Sequence, residues 1–169
     1  MYNSNTNYNN QKMRVKLLNI NTISNRIRMM VGTYIHRYGQ AYTGVYRFPN
    51  AAQIPDWGNY LTILTTTLNR QGQWPVHIWI RNGDDCLLVV CVNGYFRNNM
   101  DDITDIVKRL WARRSVGGVP ELVQMWRTDP SVIEDVCYGV RGALEELPVI
   151  HQRPYRQRGF GCSLLAPAW

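Results

Sequence analysis

Residues 76–81 (VHIWIR) alternate apolar and polar side chains, and residues 86–92 (CLLVVCV) are apolar at both parities. Asn82-Gly83 stands between them. Alternation around such a dipeptide predicts a hairpin, and the uniformly apolar second arm predicts a strand covered on both sides. Cys86 and Cys91, five apart, should then face opposite sides of the sheet. Upstream, Trp57, Tyr60, Leu61, Leu64 and Leu68 recur at the spacing of one helical face, with Asp56 as N-cap and Gly72 as left-handed terminator. Downstream, Ile103, Ile106, Val107, Leu110 and Trp111 mark a second helix, capped by Asp101 or Asp102 and stopped at Gly117-Gly118. Its acids come first, and Lys108, Arg109, Arg113 and Arg114 come last, which complements the helix dipole. Pro120 is expected to open a short helix over PELVQMW. Asp129-Pro130 is expected to open another, with Ile133, Val136, Cys137, Val140, Leu144 and Leu147 as its buried stripe.

Between the N-terminus and residue 48, three stretches read as extended chain. MRVKLLNI (13–20) begins as alternation, with Val15 and Leu17 opposite Arg14 and Lys16. Two more extended stretches follow around MVGTYI and YTGVYRF, broken at Tyr38-Gly39-Gln40. Tyr34, Tyr38, Tyr42 and Tyr46 are spaced for a helix, but Gly32, Gly39 and Gly44 weigh against one. Even spacing then places these tyrosines on one strand face. Together the elements predict an α+β fold: a single domain over 12–150, mainly an antiparallel sheet packed by three to four helices. Residues 1–11, uncharged and rich in Asn, read as a flexible arm, and 151–169 as a basic tail.

Charge changes the picture. The net charge is +7, and the segment 1–55 holds Lys12, Arg14, Lys16, Arg26, Arg28, Arg37 and Arg47 without one Asp or Glu. Residues 56–150 are close to balanced, and the tail is again free of acids. Such an asymmetry suits phosphate-bearing surfaces, whether anionic membrane or RNA, or an acidic segment of a second copy. The seven basic residues are therefore the candidate binding set. Tyr42, Phe48 and Trp74, expected in exposed loops, are candidate aromatic anchors. No apolar run approaches the roughly 20 residues that span a bilayer, so membrane contact is expected to be peripheral.

Catalytic groups do not converge. His36, His77 and His151 are far apart, and His77 reads as a structural histidine on a strand. Cys86, Cys91, Cys137 and Cys162 have no metal-binding spacing, and no phosphate-cradling loop is present. The expectation is a protein without enzymatic activity, metal or cofactor.

Three segments, KMRVKLL (12–18), DWGNYLTILTTTL (56–68) and PVHIWIRNGDDCLLVVCV (75–92), occur in an order that resembles the matrix proteins of rhabdoviruses, in the short form of the plant-infecting cytorhabdoviruses. The resemblance implies a structural virion protein beneath the envelope, found also in host cytoplasm and on membranes. It implies self-association, binding to anionic membrane, condensation of the viral nucleocapsid, and contact with an envelope glycoprotein during budding. The alternative is an RNA-binding protein such as a viral suppressor of RNA silencing. The Arg/Tyr region 26–48 would then track phosphates and stack bases.

Overall fold

The structure is a computed structural model that describes residues 4–51, 57–82, 85–94, 99–113, 119–146 and 160–162. The side chains of 4–20, 82, 99–102, 146 and 160–162 lie outside that description. Helix α1 (Ser4–Tyr38) leads into β1 (Ala41–Phe48), then α2 (Trp57–Arg70), the hairpin β2 (Val76–Asn82) and β3 (Asp85–Val92), and α3 (Asn99–Ala112). β4 (Glu121–Thr128), α4 (Ile133–Glu146) and β5 (Phe160–Cys162) complete the order. The sheet runs β4-β1-β3-β2-β5, and all four of its pairings are antiparallel. This is the expected α+β single domain with an antiparallel sheet and four helices.

β3 is central and every one of its residues is buried. Its side chains alternate between two cores, with Leu87, Val89 and Cys91 entering one and Cys86, Leu88, Val90 and Val92 the other. The first core lies between the sheet and α1 with α4, and the second between the sheet and α2 with α3. The layering is thus helix pair, sheet, helix pair. β2 and β3 pair as far as Asn82↔Asp85, so Asn82, expected in the turn, belongs to β2, and residues 83 and 84 lie outside the described residues.

Helices α2, α3 and α4 follow the stripes read from the sequence, with Trp57, Tyr60, Leu61, Leu64 and Leu68 buried on α2. At the end of α2, Gly72 (φ 73°) is the left-handed terminator. Its N–H donates to Asn69 O (2.9 Å) and the Gln73 N–H to Leu68 O (3.0 Å), the paired bonds of a Schellman cap. Asp56, Gly117, Gly118 and Leu147 fall outside the described residues. α3 starts at Asn99, so Asp101 and Asp102 stand in its first turn and not before it.

Two regions depart from the sequence reading. Residues 13–20 and 29–35 are not strands but parts of one 35-residue helix, which also takes in residues 4–11 of the expected arm. Ile23, Ile27, Met30, Val31, Tyr34 and Ile35 form its buried stripe. A 3.6-residue period therefore prevails over the short alternations. Gly32 is carried inside the helix, and Gly39 (φ 83°) ends it, its N–H donating to Ile35 O at 2.7 Å. Tyr34 and Tyr38 are consequently helical, while Tyr42 and Tyr46 are on β1. The second departure is PELVQMW. It is the strand β4, which pairs with β1 from Ala41↔Thr128 to Arg47↔Glu121 and carries a bulge opposite Val45/Tyr46.

Candidate functional site

Three turns meet at one end of the sheet: the ends of α1 (39–40), α2 (72–74) and β3 (93–94). Gln73 is the hub and is fully buried. Its carbonyl accepts from Tyr34 Oη (2.9 Å) and from the Asn93 N–H (3.2 Å), and its Oε1 accepts from the Gly94 N–H (3.0 Å). Asn93 Nδ2 donates to Gly72 O (2.6 Å), and Gln40 Nε2 donates to Asn93 O (3.0 Å). Burial of the Tyr34 ring pushes its hydroxyl well above the ordinary range, so it stays a donor.

Trp74 follows directly. Its backbone lies in the left-handed region (φ 44°), which is strained for a non-glycine residue, and its side chain is 48% exposed. The indole stacks on Tyr38 with centroids 5.4 Å apart, and Tyr38 meets Tyr34 at 4.5 Å. The Arg37 guanidinium stands 5.5 Å from the Tyr38 ring. Beside them is a small groove lined by Met30, Thr33, Tyr34, Arg37, Tyr38 and Val76. The result is an exposed indole and an exposed guanidinium flanking one tyrosine, on a base fixed by buried hydrogen bonds. His36 and Arg37 close the last turn of α1, whose dipole favours cations there.

The candidate residues from the sequence divide. Arg37 and Trp74 come together at this site. Arg28 does not join them: its Nε and Nη2 bind the Glu134 carboxylate (2.6 and 3.1 Å) and its Nη1 binds Asn25 Oδ1 (2.8 Å), tying α1 to α4. That hydrogen-bonded pair raises the Arg28 pKa and holds the Glu134 carboxyl below its ordinary value. Arg47 is bound by Asp85 at 2.8 and 3.2 Å, within the sheet. Arg26 is half-buried in α1, and Lys12, Arg14 and Lys16 are on the same helix with side chains outside the described residues. Two of the proposed anchors are corrected. Phe48 is fully buried among Trp57, Tyr60 and Trp111, because it ends a strand inside the second core and does not occupy a loop. Tyr42 is half-buried, its ring lying over Gly94, where a Cβ would fall 1.9 Å from it. Gln73 was missed, and Tyr38, read with Tyr34, Tyr42 and Tyr46 as part of a stacking surface on a strand face, ends a helix instead. Reading residues 29–35 as extended hid the helix end that presents Tyr38, and nothing local marks Gln73 as buried.

Burial disfavours the charged forms of His77 and Cys91, whereas the buried Asp85 is paired with Arg47. Burial pushes the His77 pKa down to about 4, and the Cys91 thiol up to about 12. Among the described residues no three His, Cys, Asp or Glu side chains gather as metal ligands would, and no helix is long and apolar enough to cross a membrane. Comparison of the chain with protein-family models, curated proteins and solved structures finds no match.

Proposed function

We propose that this chain is a non-enzymatic, matrix-type assembly protein that lies peripherally on an anionic membrane through the Arg37–Tyr38–Trp74 surface and the basic helix α1. The observation that carries the reading is Trp74, exposed and held in a strained conformation beside an exposed arginine. An indole at headgroup depth exposes an apolar body to the acyl boundary and a polar N–H to water. Each nearby Lys or Arg adds about 1 kcal/mol on an anionic surface. α1 carries Lys12, Arg14, Lys16, Arg26, Arg28 and Arg37 and no Asp or Glu in its own sequence, and Arg28 is paired with Glu134 of α4. In this reading the protein also associates with itself and with a nucleocapsid beneath an envelope, and contacts an envelope glycoprotein during budding.

Vesicle flotation tests it. The full chain is expected to float with anionic vesicles, not with neutral ones, and to stay partly bound in high salt. Trp74→Ala should lose the salt-resistant fraction while keeping its unfolding transition. Failure to float, together with single-stranded RNA binding that Trp74→Ala weakens, would overturn the membrane reading in favour of base stacking on the same aromatic pair.

A further inference from the structure

Arg28, Arg47 and Arg141 are each tied to a carboxylate, those of Glu134, Asp85 and Glu145. Lys108, Arg109 and Arg113, at the C-terminal end of α3, are all exposed, and among the described residues none of them forms an ion pair. Asp105 stands one turn earlier, exposed as well, and pairs with neither Lys108 nor Arg109. The α3 dipole favours a cation in the last turn, where Arg109 stands, but Lys108 and Arg113 lie before and after that turn. α2 packs beside this end, its Tyr60 Oη donating to Val107 O at 3.0 Å, and it contains no Asp or Glu. Its exposed residues are Gly58, Asn59, Thr62, Thr66, Asn69 and Arg70. Every exposed large apolar side chain of the described residues lies outside α2 and α3.

We infer that the basic end of α3, with the outer face of α2 beside it, binds the phosphate backbone of a nucleic acid. Lys and Arg beside Asn and Thr are the groups that contact phosphate and sugar, and they need no apolar centre. A protein partner would seat aromatic or apolar side chains in the middle of its contact, and a bilayer would take an anchor such as Trp74. The face offers neither. Without an exposed ring it also lacks a platform for bases, so its contact is with the backbone and not with the sequence. Its position suits a second partner. α1 with α4 and α2 with α3 cover opposite faces of the sheet. Arg37 and Tyr38 precede the first residue of β1, whereas Trp111 of α3 packs on Phe48, its last, at 5.0 Å. The eight residues of that strand set the two ends about 24 Å apart. A chain lying on a membrane through Arg37, Tyr38 and Trp74 therefore leaves the α3 end free. The inference rests on the nucleocapsid-binding part of the proposed function and names its contact, and it does not need the membrane part.

The experiment is fluorescence anisotropy of a labelled oligouridylate titrated with the full chain, without lipid, over a series of salt concentrations. Each phosphate neutralised on a single strand adds about 0.7 to the slope of log affinity against log salt. Arg109→Ala/Arg113→Ala should therefore make the slope shallower by about 1.4 and weaken binding about tenfold at low salt. Arg127→Ala/Arg141→Ala removes the same charge from exposed positions on β4 and α4, and should change both quantities little. Circular dichroism of each variant checks that the fold is kept. Vesicle flotation, run in parallel, should be unchanged in Arg109→Ala/Arg113→Ala. A wild type that binds RNA in this way and does not float supports the inference and overturns only the membrane part of the proposed function. A wild type that binds no RNA, equal losses in the two double variants, RNA binding lost in Trp74→Ala and kept in Arg109→Ala/Arg113→Ala, or flotation lost together with RNA binding in Arg109→Ala/Arg113→Ala each overturns the inference.

Discussion

The two cores on either side of the sheet are built from different materials. On the α2–α3 side, Phe48, Trp57, Tyr60 and Trp111 form one ring cluster, with centroids 5.0–5.7 Å apart and mostly edge-to-face. Hydroxyls at its margin are tied off: Tyr60 Oη donates to Val107 O and Tyr46 Oη pairs with Thr104 Oγ1, both at 3.0 Å. The α1–α4 side is aliphatic, mainly Ile, Val and Leu with Met30 and Tyr34. Aromatic packing is directional, so a ring in the cluster fixes its neighbours' orientation as well as their distance. Aliphatic packing fixes volume and little else. The difference separates tasks: the aromatic core fixes where α2 and α3 sit, while the aliphatic core carries α1, the element that ends in the exposed Arg37.

The contrast can be broken most sharply at its centre. Trp111→Ala is expected to cost about 3–5 kcal/mol, because the cavity removes contacts to three rings at once. Ile27→Val on the other side should cost only about 0.5–1.5 kcal/mol. Denaturant unfolding of both variants measures the gap, and equal losses would refute the division. A smaller effect sharpens the picture through pH. His77 pairs across the strands with Val90, on the aromatic side, and burial depresses its pKa from 6.5 to about 4. The unfolded chain therefore binds the proton first as pH falls. Stability is full above 6.5, declines between 6.5 and 4, and has lost roughly 3 kcal/mol at the bottom of that window. His77→Gln should flatten the decline, measured as unfolding free energy against pH. The smallest effect is expected on the aliphatic side at the exposed Arg28–Glu134 pair. Glu134→Gln should lower the unfolding midpoint slightly at low salt and not at all at high salt.

Legibility followed the same line. The stripes of α2, α3 and α4 were readable because each is a short helix with one buried face. The hairpin was readable because Asn82-Gly83 separates two strand patterns of different burial. α1 was not, because short alternations such as Arg14-Val15-Lys16-Leu17 imitate a strand, and Gly32 suggested a break. The helical spacing from Ile23 to Ile35 becomes visible only across that glycine. β4 was misread because an exposed edge strand shows no strict alternation, and Pro120 suits a helix start equally well. At the candidate site, Trp74 and Arg37 were visible as residue types. Their meeting over Tyr38 was not, since it depends on two helices ending at the same edge of the sheet.

β3 contributes nearly the same side chains to each core: Leu, Val and Cys on one side, and Cys, Leu, Val and Val on the other. A one-residue slip, which exchanges the sides, would change its own packing volume little. The strand is a ruler without numerals, and the index marks stand at its two ends. At one end Asp85 holds Arg47 and the Asn50 N–H, and at the other the N–H groups of Asn93 and Gly94 donate to Gln73. The polar contacts at its rims thus supply the index that the apolar side chains of β3 do not, and they mark one register of the sheet over its one-residue slip.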